Sequence, residues 1–324
     1  MKVNIRCPVG AFGSLPYLAS LMKEIFTSKF FIEEVVISNE YKEDYHNVLI
    51  DEGVSSVIYK RKADIWWSDS PGMMPNTYHN LQKILEETEL FKKHYTVSEY
   101  NKEHYRKLGI PVEDVVIPRP VNPILFSYYT RYDNCVYDII TIGRHDMCDR
   151  KNLRLQRNIF LRLKFKYCVV SDVYIPPRPN LLQYNFGSIT DELKAKLLSK
   201  SKFLLWTSFI EGFGMPVLEA MTVGTVPIYT DVPAHNEFAV GIPIKPSGRI
   251  RGFCYGVRVD KHVIEEKEIE EAVKYALGMK KEEWEDLSMK CMEKAAEMWN
   301  NFVSKVPLLL GDRYAYQMGF ERVL

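Results

Sequence analysis

A chain of 324 residues exceeds the usual size of one hydrophobic core, which points to two domains of roughly 100–200 residues each. With 46% hydrophobic and 26% charged residues, 17 Gly and 17 Pro, the composition excludes a disordered or fibrous chain. The 43 Lys and Arg against 42 Asp and Glu leave a formal charge of +1, which excludes a global field able to hold nucleic acid.

In chain order, short runs of β-branched and aromatic residues alternate with longer helix-like stretches, the pattern of an α/β domain with a parallel sheet. Strands are expected near residues 2–7, 33–38, 55–60, 64–68, 94–97 and 115–118. Pro118-Arg119-Pro120-Val121-Asn122-Pro123 then puts three prolines in six residues, which forbids a helix and favours an extended linker. The strand pattern resumes near 137–143, 167–171, 183–186, 203–207 and 225–230. After about residue 265 the chain turns helical, and the acidic run Glu265–Glu271 reads as a solvated helix start. Trp66, Trp67 and Trp206 lie in strand-like runs and are expected in the core.

Cys7, Cys135, Cys148, Cys168, Cys254 and Cys291 are scattered, with no CxxC pair or zinc-like spacing, which reads as a reduced, cytoplasmic chain. The N-terminus lacks a signal-peptide pattern, and no apolar run approaches the roughly 18–20 residues of a membrane span. Peripheral membrane contact stays open. The basic triplet Lys60-Arg61-Lys62 suits a surface turn, or anionic headgroups as part of a larger patch.

The stretch Phe203–Asp231 carries the most chemistry: a strand, a glycine-bearing loop, a helix and a second strand. Pro216 fits the first helical turn and Gly224 the exit. The loop Glu211-Gly212-Phe213-Gly214-Met215 is therefore expected at a helix N-terminus on the C-terminal edge of a parallel strand. Unpaired N–H groups and the positive end of the helix dipole suit a phosphate there. Gly212 and Gly214 allow close backbone approach. Glu211 and Glu219 can face one ligand, and paired carboxylates suit the donor hydroxyls of a sugar.

This run resembles the E-x7-E signature of family 4 glycosyltransferases, retaining enzymes of the GT-B type. Upstream, Asn185–Leu193 resembles the family's strand-then-helix entry, with Thr190 as cap. Ile139-Ile140-Thr141-Ile142-Gly143-Arg144 followed by Arg150-Lys151-Asn152 resembles its Gly-Arg…Lys element. Pro8–Ser14 is similar to the first-strand glycine loop, and Met298–Phe302 to the aromatic helix end before the chain crosses back.

The resemblance implies two Rossmann-like domains with parallel sheets facing across a cleft. Residues 1–122 would form the acceptor side, 123–303 the donor side, and 304–324 a segment returning to the first domain. It implies that Gly13, Arg144, Lys151, Gly212, Phe213, Gly214, Met215 and Glu219 bind the donor, with Arg144 and Lys151 on the diphosphate and Glu219 on the ribose. Lys151 is preferred to Arg150. Glu211 would hold the transferred sugar.

Where many members have an N-domain histidine, this chain has Trp66–Gly72, in which Asp69 reads equally as an acceptor-side catalytic group or as a turn former. His79 is the other candidate. The expected activity is transfer of a hexose from a UDP- or GDP-sugar to an acceptor hydroxyl of a glycan, lipid, protein or small molecule, with no cofactor and no metal. A sugar-nucleotide 2-epimerase and a non-catalytic nucleotide-sugar-binding scaffold are the rival readings.

Overall fold

The computed structural model describes residues 1–7, 14–52, 60–69, 89–146, 148–254 and 257–318. The chain divides into two compact units, one of Met1–Pro120 with Trp299–Leu324 and one of Val121–Met298.

In the first unit β1 (Lys2–Arg6), β2 (Glu34–Ser38), β3 (His46–Glu52), β4 (Ile65–Asp69) and β5 (Lys93–Thr96) form a parallel sheet in the order β2-β1-β3-β4-β5. β4 is buried along its whole length, as a central parallel strand covered on both faces must be. Trp66 stacks on His94 with centroids 4.0 Å apart, while Trp67 stacks on Phe302 at 6.1 Å and donates its Nε1–H to the Ile117 carbonyl at 2.9 Å. The returning segment is tied down by polar contacts as well: His46 Nε2 meets the Leu309 carbonyl at 2.9 Å, and Lys93 pairs with Asp312 at 2.5 Å.

The expected strand at 55–60 falls almost wholly on residues outside the described ones. β3 takes its place in the register beside β1. Its sequence, His-Asn-Val-Leu-Ile-Asp-Glu, has only three central apolar residues between polar ends and is easily passed over. Residues 115–118 supply a single bridge, Val116 beside Thr96, rather than a strand.

In the second unit β6 (Tyr137–Ile142), β7 (Tyr167–Val170), β8 (Leu181–Tyr184), β9 (Ser201–Trp206), β10 (Val226–Thr230) and β11 (Ile242–Ile244) form a parallel sheet in the order β11-β10-β9-β6-β7-β8. Its centre is Ile139, Ile140, Phe203, Leu204, Leu205 and Ile228, all essentially inaccessible. β12 (Gly248–Cys254) and β13 (Val257–Val263) pair antiparallel as a separate ribbon. Neither is expected from the sequence: arginines and glycines break up β12, and the alternating valines of β13 are interrupted by Lys261.

The helix signals act as read. Thr190 accepts the Leu193 N–H at 3.1 Å, and the Glu268 carboxylate accepts the Glu265 N–H at 2.7 Å. Pro216 sits in the first turn of Met215–Val223, and Gly224 closes that helix at φ 81°. One expectation fails. Cys7, Cys135, Cys168 and Cys291 are free thiols, but Cys148 is disulfide-bonded, which corrects the all-reduced reading; spacing along the chain does not report proximity in space. Among the described residues no helix is long and apolar enough to cross a membrane.

A Cβ at position 224 would lie 2.8 Å from Ser288 Oγ, whose hydroxyl donates to the Gly224 carbonyl. Gly224→Ala is expected to destabilise the protein by about 1–3 kcal/mol, read from the urea midpoint.

Candidate active site

The second sheet changes direction at β6: β7 lies on one side of it and β9 on the other. In doubly wound sheets the crevice outside the carboxyl ends at such a switch point is where ligands bind. The segments leaving β6 and β9 here are the two that carry the motif residues.

After β6, Gly143 is buried and Arg144 is exposed to solvent. The turn that follows is fixed by its own polar groups. Asp149 and Asn152 adopt left-handed backbone at φ 46° and 53°. Asp146 Oδ1 accepts the Arg150 N–H at 3.0 Å, and Asp149 Oδ1 accepts the Leu153 N–H at 2.9 Å. The Lys151 carbonyl takes hydrogen bonds from Gln156 Nε2 and Thr207 Oγ1, at 3.0 and 3.1 Å. This network locks the backbone of Lys151 to the end of β9 and aims its side chain at the glycine loop.

Lys151 Nζ forms an ion pair with Glu211 and lies 4.2 Å from the centroid of the Trp206 ring. Glu211 is deeply buried. Burial alone would push its carboxyl up, but the positive charges of Lys151 and Arg150 hold it at about 2.

Glu219 is 2% exposed. Its Oε1 accepts from Lys194 Nζ at 2.7 Å, while Oε2, also buried, has no hydrogen-bond partner among the described residues. Burial raises its pKa, and Lys194 offsets part of that rise. Lys194 also meets Asp191 at 2.8 Å.

Between the two carboxylates Gly214 starts the helix at φ 94°. A Cβ there would lie 2.4 Å from His235 Nε2, so position 214 has room for hydrogen alone. His235 is itself buried, with Nδ1 2.9 Å from the Thr230 carbonyl and Nε2 without a partner. Burial lowers its pKa, so the ring is neutral and an Nδ1–H donates to Thr230. The Phe213 ring stacks flat on Phe238 at 4.7 Å, and Met215 is buried. What Phe213 and Met215 can offer a ligand is their backbone N–H.

Residues 183–240, which span Lys194, Glu211, Glu219 and His235, match the model of the family described as glycosyl transferases group 1. "Putative glycosyltransferase 48" of Sulfolobus islandicus filamentous virus is 30% identical over 251 residues, covering 75% of either chain. The chain belongs to the group 1 glycosyltransferases. "Putative glycosyltransferase ORF330" of Acidianus filamentous virus 2 is 34% identical over 213 residues, and the chain spans 62% of that relative's length. Among solved structures, Anabaena HepE in complex with UDP and glucose aligns with a TM-score of 0.67 at 12% identity, covering 96% of this chain and all of that one. That likeness establishes the GT-B fold, with its two Rossmann-like parallel sheets.

In the first unit of this group 1 member, Asp69 ends β4 and is buried. Its Oδ2 pairs with Arg119 at 2.9 Å, and its backbone carbonyl accepts from Tyr105 Oη at 3.0 Å. Arg119 is itself only 3% exposed. Gly13, the loop before it and His79 lie outside the described residues. Lys194, His235, Gln156 and Thr207 were not picked out from sequence, although Lys194 carried a usable signal, lying four residues past the Thr190 cap on the helix that leads into β9.

Two consequences can be measured. The depression of Glu211 contributes stability that is fully present above the ordinary carboxyl value of 4.5 and is lost as pH falls towards about 2. Between pH 6 and pH 3 the parent should lose more stability than Glu211→Gln, by about 2 kcal/mol. Asp69→Asn leaves the Arg119 guanidinium buried without its carboxylate and should cost about 3–5 kcal/mol. Urea unfolding of Asp69→Asn, Arg119→Met and the double variant should return strong coupling between the two sites.

Proposed function

We propose that the protein is a retaining hexosyltransferase that moves a hexose from a UDP- or GDP-sugar to an acceptor hydroxyl. The observation that carries this reading is Glu219: a buried carboxylate with one oxygen on Lys194 and the other unsatisfied is a receptor waiting for a hydroxyl donor. A ribose hydroxyl is such a donor. Buried polar atoms are otherwise nearly always paired, and this one lies one turn inside a helix whose N-terminus suits a diphosphate.

In this reading the amides of Gly212 to Met215 hold the diphosphate. Arg144 and Lys151 neutralise the charge that grows as the sugar–phosphate bond breaks. Glu211, already deprotonated, accepts hydrogen bonds from the hydroxyls of the transferred hexose, and Lys151 Nζ has donors to share between it and the phosphate. The anomeric carbon loses the phosphate oxygen and gains the acceptor oxygen on the same face. The acceptor's proton passes to the departing phosphate. Asp69 is assigned to the acceptor side, where Arg119 fixes the direction of its carboxylate. Side-chain cations supply the positive charge, and the reading assigns no metal or cofactor.

The test is thermal unfolding with UDP-, GDP- and ADP-sugars at millimolar concentration, with UDP-glucose first because HepE was solved with UDP and glucose. One donor should raise Tm by several degrees, and Glu219→Ala and Arg144→Ala should abolish the rise. Product made from that donor and a competent acceptor should keep the donor's anomeric configuration by NMR. Inverted product overturns retention, and release of an epimerised donor without acceptor points to the epimerase. Donor binding without transfer or hydrolysis across a broad acceptor panel points to the scaffold. No shift with any donor overturns the donor site.

A further inference from the structure

The β12–β13 ribbon has no role in the donor chemistry, and its surface is unusual for a solvated hairpin. Ile250 and Phe253 are 56% and 61% exposed. Arg249 and Arg251 flank Ile250 and are exposed as well, as is Lys245 just before the ribbon. Residues 245–263 contain five Lys or Arg and one Asp, a concentration of positive charge in a chain that is nearly neutral as a whole. Arg251 and Asp260 approach to 3.6 Å, both largely in solvent, so that pair neutralises little.

The ribbon is anchored at its base. There the His262 N–H donates to the Phe209 carbonyl at 3.1 Å and Lys261 Nζ lies 4.6 Å from the centroid of the Phe209 ring; further along, opposite Gly252, Val259 is buried on the face that also carries Lys261 and Ile250. Beyond that base it pairs with no other strand among the described residues.

The register pairs Arg249 with His262 and Ile250 with Lys261. Since side chains alternate along a strand, Phe253 projects from the face that carries Arg249 and Arg251, and Ile250 projects from the opposite face. A protein partner laid flat on the ribbon would cover one of these apolar groups and leave the other in water. A fluid apolar layer beneath a negatively charged surface covers both. Ile250 and Phe253 lie roughly 10 Å apart along the strand at about 3.3 Å per residue.

We propose that the β12–β13 ribbon docks this protein edge-on to an anionic lipid surface, with Phe253 and Ile250 entering the interface and Arg249, Arg251 and Lys245 meeting the headgroup phosphates. Nucleic acid is the weaker match: its phosphates would use the arginines but leave the exposed aliphatic side chain of Ile250 unaccounted for.

The proposal does not depend on the donor reading, and the experiment separates the two. The full chain is sedimented with phosphatidylcholine vesicles and with vesicles containing 30% phosphatidylglycerol (about a third anionic lipid), at low and high salt. The expected result is binding to the anionic vesicles that weakens with salt. It should fall at least roughly tenfold in Arg249→Ser/Arg251→Ser and in Ile250→Ser/Phe253→Ser. Both variants change exposed side chains and should keep the parental Tm and any donor-induced rise in Tm. Failure of the parent to bind anionic vesicles, or equal binding by the variants, overturns the proposal. Salt-sensitive binding of an oligonucleotide that the arginine variant loses and the Ile250/Phe253 variant keeps overturns it in favour of nucleic acid. Concentration-dependent self-association that the Ile250/Phe253 variant abolishes overturns it in favour of a second copy of the chain.

Discussion

Two carboxylates removed from water on either side of one helix start impose the constraint around which the second unit is organised. An isolated buried carboxylate is costly enough that it would take up a proton rather than stay charged. Glu211 escapes this because Lys151 and Arg150 lie beside it. Glu219 escapes only in part, with Lys194 on one oxygen and no partner among the described residues on the other. The rest of the local architecture supplies those cations. The left-handed turn at Asp149 and Asn152, and the Gln156–Thr207 bonds to the Lys151 carbonyl, serve to deliver one ammonium to one carboxylate. The Thr190-capped helix delivers the other.

Such an arrangement sets stability against ligand recognition. A glutamine at 219 would fold with less electrostatic conflict, since the raised pKa of Glu219 marks a group whose charged form the fold disfavours. Gly214 is a related case: a left-handed helix start packed close to His235 leaves no room for a Cβ, so the position accepts glycine alone.

The part of this that could be read from sequence is the part encoded locally. The Gly, Pro and Glu spacing between 211 and 224 dictates a turn, a helix and its exit within one continuous stretch, and the structure follows it. Strands built mainly on β-branched and aromatic residues, such as β4, β6 and β10, are equally legible. What escaped depends on separation along the chain: 25 residues separate Lys194 from Glu219, 24 separate His235 from Glu211, and 50 separate Arg119 from Asp69. No periodicity links such positions, and only the sheet order brings them together. β3 and the β12–β13 ribbon escaped for another reason. Their pairing is made by backbone hydrogen bonds, and charged residues and glycines dilute or interrupt whatever apolar pattern they carry.

The division of the chain has a consequence for its synthesis. The second unit is one continuous stretch, Val121–Met298, whereas the first unit draws on residues before and after it, because Trp67 stacks on Phe302 and His46 bonds the Leu309 carbonyl. On the ribosome the residues up to Pro120 emerge earlier but lack these partners until the segment from Trp299 has left the exit tunnel. The later-made unit therefore has all its own residues first, and the earlier-made unit closes last, with the apolar face of Trp67 exposed to chaperones and proteases in the interval.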